Sequence, residues 1–457
     1  MNAAVRRKPA TGAQPRARRT VIVGLGRTGL ACARYLNAHG ARVAITDSRA
    51  DPPELRNLGE LAAQVDVRLG GFDARLLADA VQVVVSPGVS LREPFLREAL
   101  ARDIEVVGDI ELFARAVRAP VIAVTGTNGK STVTTLVALM LEAAGRNVRT
   151  GGNLGEPALN LLDGPIPDFY VLELSSFQLE TTESLALRAA AVLNVSADHL
   201  DRYATVADYA AAKARIFRSC EQAVVNLDDP LVAAMVPADR PRLGFSIAPG
   251  SRAEFTLARA LDSELWLVKR GEPKLALGEM KLAGLHNAAN ALAALALSEA
   301  ANIDERAALE VLRSFSGLPH RMQWVADRRG VRWIDDSKGT NVGATIAAVK
   351  GMTGPLILVA GGDGKGQDFT PLAAAFRDKV RHVVLIGRDA ALLAGALRGV
   401  CTTEQAATLP DAVRAAADRA QGGDTVLLSP ACASLDMFRD YAQRGEVFAA
   451  AVRGLEP

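Results

Sequence analysis

The sequence predicts an α/β protein of three domains: a Rossmann-like N-terminal domain, a central P-loop-type ATPase domain with a parallel sheet, and a Rossmann-like C-terminal domain. Two observations predict it. Short β-branched runs alternate with Ala- and Leu-rich stretches of helical length, the mark of parallel strands joined by crossover helices. This pattern restarts three times along 457 residues, and at roughly 150 residues per domain the chain is long enough for three cores.

Residues 1–19 come before the first strand. Arg6, Arg7, Lys8, Arg16, Arg18 and Arg19 stand among Ala, Pro and Gly with no acidic residue before Asp47. No apolar segment follows the charges as a secretory signal requires, so a disordered basic tail is expected. The first domain, 20–118, has expected strands at 20–24, 42–46, 81–85 and 104–107. The second, 119–317, opens on the strand Val121 to Val124 and closes with a helix over 285–300; Ser316-Gly317-Leu318-Pro319 reads as a linker. The third, 318–457, carries expected strands at 355–360, 382–386 and 425–428.

Composition excludes several classes of function. A net charge of +2 creates no general field for nucleic acid or an anionic membrane, so anionic ligands must be held locally. The longest apolar-rich stretch, Ala288 to Leu297, contains Asn290 and falls short of the ~18 residues that span a bilayer. Cys32, Cys220, Cys401 and Cys432 form neither a CxxC pair nor a zinc spacing. A cytoplasmic protein with reduced thiols is expected, with no nucleic-acid partner and no membrane insertion.

Two phosphate-binding patterns carry the chemistry. Gly24-Leu25-Gly26-Arg27-Thr28-Gly29 follows a strand, opens a helix and precedes Asp47 at the end of the next strand. That is a dinucleotide fingerprint, compatible with NAD, with another nucleotide or with a structural turn. Thr125-Gly126-Thr127-Asn128-Gly129-Lys130-Ser131-Thr132 is a second strand–turn–helix. Its backbone N–H groups can cradle phosphates, Lys130 can neutralise a transferring group and Ser131 can reach Mg²⁺. The loop is two residues shorter than the common P-loop, whose first glycine would fall at Val124. The two motifs together favour ATP over NAD.

Further motifs follow in order: Gly151-Gly152-Asn153; Glu173 at the end of the apolar run Val171-Leu172; Asp198-His199 after an expected strand Ala191 to Val195; Lys213; His286-Asn287-Ala288-Ala289-Asn290; His320-Arg321; Asp335-Asp336-Ser337-Lys338-Gly339-Thr340-Asn341; Gly361-Gly362-Asp363-Gly364-Lys365; and Ala433-Ser434. A carboxylate such as Glu173 is costly to bury without a partner, which favours a Mg²⁺ ligand. In type and order these motifs, together with the shortened phosphate loop, resemble the Mur ligase family from about Thr20 to the C-terminus.

The resemblance implies an ATP-dependent ligase that joins a carboxylate to an amine through an acyl phosphate, with UDP-N-acetylmuramoyl-L-alanine and D-glutamate as substrates. It implies that Gly126, Thr127, Asn128, Gly129, Lys130, Ser131, Thr132, Asn290, Arg321 and Asp336 bind ATP. It places Lys130, Glu173, His199 and Lys213 at the chemistry, and two Mg²⁺ ions on Ser131, Glu173, His199 and a carbamoylated Lys213. The first domain would then hold UDP rather than NAD, through Gly26, Arg27, Thr28, Asp47, Ser48, Arg49, Ser86, Pro87 and Gly88, with Asn153 and His199 also on the UDP substrate. The incoming amino acid would meet Lys338, Thr340, Lys365, Ser434 and Tyr441, the last standing where some members carry phenylalanine. A monomer is expected, with the third domain closing over the other two. Residue identities leave D- and L-glutamate undivided; a related ligase using another amino acid, an NAD-linked dehydrogenase and a non-catalytic nucleotide binder remain alternatives.

Overall fold

The computed structural model describes residues 19–237, 240–260, 264–282, 284–352 and 354–455. The basic run Arg6 to Arg18 lies outside the described residues. Arg19 does not belong to a tail: it opens the first strand, Arg19–Val23, and its guanidinium lies 2.9 Å from Asp79. The described residues form two compact units. One runs up to Val117 and also takes in Gly155–Pro165 and Glu180–Leu185; the other holds Arg118–Leu154, Ile166–Leu179 and the chain from Ala186 onward.

The first unit is built on five parallel strands in the order Asp66–Leu69, Arg42–Asp47, Arg19–Val23, Ala80–Val85, Glu105–Val107. Val21, Val23, Ala44, Val83 and Val85 pack with Phe95 and Leu96 in its core. The strand Asp66–Leu69 was not expected because it is an edge strand, half-exposed and without an apolar run. The buried Glu111 carboxylate ties the segment 180–185 to this unit, accepting from the N–H of Glu183 at 2.7 Å and of Ser184 at 2.9 Å.

The second unit contains two sheets. The larger has nine strands in the order Glu272–Ala276, Leu265–Lys269, Phe255–Arg259, Arg242–Ser246, Cys220–Asn226, Leu187–Val192, Val121–Thr125, Phe169–Glu173, Val148–Gly152. The sheet is parallel-dominated, as expected, with Leu265–Lys269 and Glu272–Ala276 added antiparallel at one edge. The strand expected at Ala191 to Val195 is Leu187–Val192, so His199 stands on a longer loop than the sequence suggested. Helices Lys130–Ala143 and Leu285–Ala300 bury Val133, Leu136, Val137, Ala291, Leu292 and Leu295 in one core with this sheet. Leu285–Ala300 is apolar on nearly all sides and buries 12 of its 16 residues.

The smaller sheet runs Gln323–Arg328, Val331–Asp335, Thr425–Leu428, Leu356–Gly361, Val380–Ile386, Thr402–Gln405, parallel except for its first pair. That first pair is a hairpin the sequence reading missed. Arg329 and Gly330 turn it, both with positive φ (52° and 73°), as a tight two-residue turn between right-twisted strands demands. Among the described residues no helix is long and apolar enough to cross a membrane. Thr125, Glu173 and Val192 end three adjacent parallel strands, and the crevice beyond such ends is where open α/β sheets place ligands.

Candidate active site

The phosphate loop is shaped by two glycines. Gly129 caps the helix Lys130–Ala143 with φ +82°, and a Cβ there would lie 2.4 Å from Asn290 Oδ1. Gly126 has φ +151° and brings its carbonyl inward, where it accepts from Lys130 Nζ at 3.0 Å and from Lys213 Nζ at 2.8 Å. The loop is fastened to residues 194–196. Asn128 N–H donates to Asn194 Oδ1 at 2.8 Å, Asn194 Nδ2 donates back to the Asn128 carbonyl at 3.1 Å, and Ser196 N–H donates to Thr127 Oγ1 at 3.0 Å.

Glu173 sits beside the loop, 2% exposed. Its carboxylate accepts from Ser131 Oγ and from Asn153 Nδ2, both at 2.6 Å, and Arg321 Nη2 donates to Ser131 Oγ at 2.8 Å. Burial pushes the Glu173 carboxyl up, yet the Lys130 charge and these hydrogen bonds outweigh it and leave the group below its ordinary value.

A cavity of about 240 Å³ is lined by Lys130, Glu173, His199, Lys213, Arg321, Lys338, Thr340 and Lys365. Cations outnumber carboxylates on its wall, which suits a polyanionic ligand. Burial, reinforced by nearby Lys130, holds the Lys213 amine well below its usual range, and Lys213 is 1% exposed. A neutral amine in that position is a nucleophile toward CO₂. Burial also lowers His199 to about 4, so its imidazole is neutral and can donate a lone pair. Burial, with Arg321 and Lys130 adding repulsion, brings Lys338 down to about 7, and its ammonium lies 3.8 Å from the centre of the Tyr441 ring.

A second cavity of about 330 Å³ brings Asn290, Arg321 and Asp336 together with Gly129 and Thr132. Asp336 is buried, and desolvation raises its carboxyl to about 7 against the opposing hydrogen bond from Ser429 Oγ at 2.9 Å.

Among the described residues no three His, Cys, Asp or Glu side chains converge as a metal cluster. Ser131 Oγ and the Glu173 carboxylate are nevertheless the hard oxygen donors that Mg²⁺ takes, and Mg²⁺ characteristically completes its shell with phosphate oxygens and water. Carbamoylation of the Lys213 amine would supply a further oxygen donor. The donor set therefore fits the ion.

The first unit carries the other phosphate loop. Gly24 has φ +96°, and a Cβ on Gly29 would stand 2.0 Å from the Gly24 carbonyl oxygen. Asp47, 2% exposed, braces this turn: Oδ2 accepts from Leu25 N–H at 2.7 Å, and Oδ1 accepts from Arg49 N–H at 2.8 Å and Nε at 2.9 Å. Ser86 Oγ donates to the Gly24 carbonyl at 2.9 Å. Arg27, Ser48 and Gly88 are exposed around this turn, with Gly26, Thr28 and Pro87 partly so.

Three family models cover most of the chain: the Mur ligase MurD-like N-terminal domain over residues 18–108, the Mur ligase middle domain over 124–298, and the Mur ligase glutamate ligase domain over 320–432. The chain belongs to the Mur ligase family. It is 53% identical over 436 residues to the UDP-N-acetylmuramoylalanine–D-glutamate ligase of Nitrosococcus oceani, covering 95% of this chain and 96% of that one. It is 50% identical over 439 residues to the ligase of the same description from Pseudomonas aeruginosa, at 95% and 98% coverage. Among solved structures it resembles the UDP-N-acetylmuramate-alanine ligase MurC of Thermotoga maritima, with TM-score 0.61, 20% identity and coverage of 95% and 99%. It also resembles MurF of Acinetobacter baumannii, with TM-score 0.61, 16% identity and coverage of 96% and 94%. These two likenesses concern the fold.

In this Mur ligase Lys130, Glu173, His199, Lys213, Arg321, Lys338, Thr340 and Lys365 line one cavity, Asn290 and Asp336 line the second with Arg321, and the residues expected at UDP from Gly26 to Gly88 belong to the other unit. Ser434 and Tyr441 do not line the 240 Å³ cavity: Ser434 is buried beside the Gly362–Asp363 turn, next to the bridge between Asp363 and Ala433, and the Tyr441 ring lies against the Lys338 ammonium. Sequence reasoning gave no role to Asp198 or Asn341. Asp198 accepts from Lys365 Nζ at 2.5 Å and from Asn341 Nδ2 at 3.2 Å. Both residues stood inside quoted motifs, but no spacing rule links positions this far apart in the chain.

Proposed function

We propose that this Mur ligase joins D-glutamate to UDP-N-acetylmuramoyl-L-alanine with hydrolysis of ATP to ADP and phosphate, acting as a monomer in cytoplasmic peptidoglycan precursor synthesis. One observation carries the chemical part: a single cavity lined by the phosphate-loop Lys130, the buried Glu173 and Lys213, and Lys365 of the Gly361–Lys365 loop. The relatives that are about half identical along nearly the whole chain bear that substrate pair in their names.

The division of labour follows from charge. A carboxylate does not acylate an amine directly, because its leaving group would be oxide. The alanine carboxylate attacks the γ-phosphate of ATP, the bond to the β-phosphate oxygen breaks, and acyl phosphate and ADP result. Lys130 and Arg321 face the charge that gathers on the transferring group. Ser131 and Glu173 would hold one Mg²⁺, and His199 with a carbamoylated Lys213 would hold a second; bound there, the ions would supply further charge neutralisation. The glutamate amine then attacks the acyl carbon, loses a proton, and expels phosphate to leave the amide. Lys365, Lys338 and Thr340 offer two cations and a hydroxyl to the two carboxylates of glutamate, with Tyr441 beneath Lys338. Gly26, Arg27, Thr28 and the Asp47–Arg49 turn serve the UDP moiety. The three substrates are thus assigned to regions 20–118, 119–317 and 318–457.

The test is phosphate release with ATP, Mg²⁺ and UDP-N-acetylmuramoyl-L-alanine, comparing D-glutamate, L-glutamate, other amino acids and none. Release confined to D-glutamate is expected, and Lys130→Ala should abolish it. Release confined to L-glutamate would overturn the substrate assignment, and release with no amino acid would overturn the ligase chemistry.

A further inference from the structure

Asn341 caps the helix Val342–Gly351, its Oδ1 accepting from Ala344 N–H at 2.8 Å. The same side chain does more than cap. Its Nδ2 donates to Asn128 Oδ1 at 3.2 Å and to Asp198 Oδ2 at 3.2 Å, and Asn128 Nδ2 lies 3.4 Å from Asn341 Oδ1. The other Asp198 oxygen accepts from Lys365 Nζ. Asn341 and Asp198 are 3% and 5% exposed, so water competes weakly for these bonds. The packing here is close, since a Cβ on Gly343 would lie 3.0 Å from Ser196 Oγ.

We propose that Asn341 is a positioning residue that couples the phosphate loop to the lysine that receives the amino acid; the inference rests on the role given above to Lys365. Asn128 belongs to the phosphate loop and is clamped to Asn194 through its backbone. A nucleotide that orders this loop fixes Asn128, and through one amide it fixes Asp198, whose second oxygen holds the Lys365 ammonium in the cavity. Lys365 has φ 53°, a conformation non-glycine residues adopt at some cost; its N–H is held by Asp363 Oδ1 at 2.8 Å and its ammonium by Asp198. The task needs asparagine, because one acceptor serves the cap while two N–H donors on one nitrogen serve Asn128 and Asp198. Serine caps a helix as well, but its shorter side chain carries a single O–H and cannot replace both donors; aspartate caps and sets a second carboxylate against Asp198.

The full-length enzyme tests this with Asn341→Ser, Asn128→Ser and the double variant, in the phosphate-release assay. In Asn341→Ser the amino-acid KM should rise roughly tenfold, the effect of losing about one hydrogen bond to a charged group. The thermal midpoint, and the affinity for a non-hydrolysable ATP analogue without amino acid, should stay at wild-type values. The double variant should be no worse in amino-acid KM than the poorer single variant, as for residues acting in one unit. Asn341→Asp, which keeps the cap, should raise that KM further and provides the test if the serine variant does not fold. An unchanged amino-acid KM in both variants would leave Asn341 as a cap and overturn the proposal, as would single effects that multiply in the double variant. Wild-type enzyme that releases no phosphate with any amino acid would instead remove the functional reading beneath it.

Discussion

Asp336→Asn offers a quantitative test of the second cavity. Asp336 is 8% exposed, and burial raises its carboxyl from 3.8 to about 7 although the hydrogen bond from Ser429 and the Arg321 charge pull the other way. In the unfolded chain the group ionises near 3.8, so between that pH and about 7 the folded state binds the proton more tightly. The unfolding free energy must therefore fall as pH rises through this window, and the loss is complete above it. A gap of about 3 pH units, at about 1.36 kcal/mol each, amounts to a penalty on the order of 4 kcal/mol. Asparagine does not ionise. Its Oδ1 can accept from Met322 N–H, as Asp336 Oδ1 does at 3.3 Å, and its Nδ2 can donate to the Ser429 hydroxyl. The variant should match the wild type near pH 4 and exceed it by on the order of 4 kcal/mol near pH 8, while phosphate release falls because the carboxylate is proposed to serve ATP. Urea unfolding of the ligand-free enzyme, followed by the fluorescence of the buried Trp333, measures this across the range. Equal stability near pH 8, or parallel pH profiles for the two proteins, would refute the argument.

Three further outcomes are expected. Lys213→Ala should lose phosphate release and regain part of it with added short carboxylic acids, which can stand in for a carbamate; no recovery with any acid would count against that role. In Gly129→Ala the positive φ costs about 1–2 kcal/mol and the new Cβ displaces Asn290 Oδ1, 2.4 Å away, so the ATP KM should rise roughly tenfold; an unaltered ATP KM would refute the geometry. Arg444, 0% exposed, donates to Ser337 Oγ at 3.0 Å, Ser337 O at 2.7 Å and Cys432 O at 3.1 Å. Arg444→Met abandons these acceptors at about 1–3 kcal/mol each when buried, so the unfolding free energy should drop by roughly 3 kcal/mol or more, and an unshifted urea midpoint would contradict this.

The parts of the molecule legible in the sequence are those in which residue identity and geometry are coupled over a few positions. Thr125 to Ser131 spells a strand end, a glycine turn and a helix start, and each glycine is demanded by the local backbone; the loop, its lysine and its serine were readable together. The helix Leu285–Ala300 was equally plain, because its run of Ala and Leu, interrupted by Asn290, suits a largely buried helix. Edge elements were lost for the opposite reason. Asp66–Leu69 and Gln323–Arg328 bury few side chains, so no hydrophobic period marks them. In the larger sheet, the antiparallel pair Leu265–Lys269 and Glu272–Ala276 reverses a parallel pattern that nothing in their own residues announces.

The site divides in the same way. By itself the sequence named the groups to which the proposed chemistry is assigned: the phosphate-loop Lys130, a carboxylate at Glu173 and, through the family resemblance, the amines of Lys213, Lys338 and Lys365. Only the tertiary structure decided their state and their partners. The Lys213 amine is held well below its usual range by burial and by Lys130, and burial raises the Asp336 carboxyl to about 7. Lys365 meets Asp198 across 167 positions of chain, and Asn341 meets Asn128 across 213. A motif constrains backbone over the few residues it spans, whereas a pKa or a long-range hydrogen bond depends on which distant segments the packed core brings together.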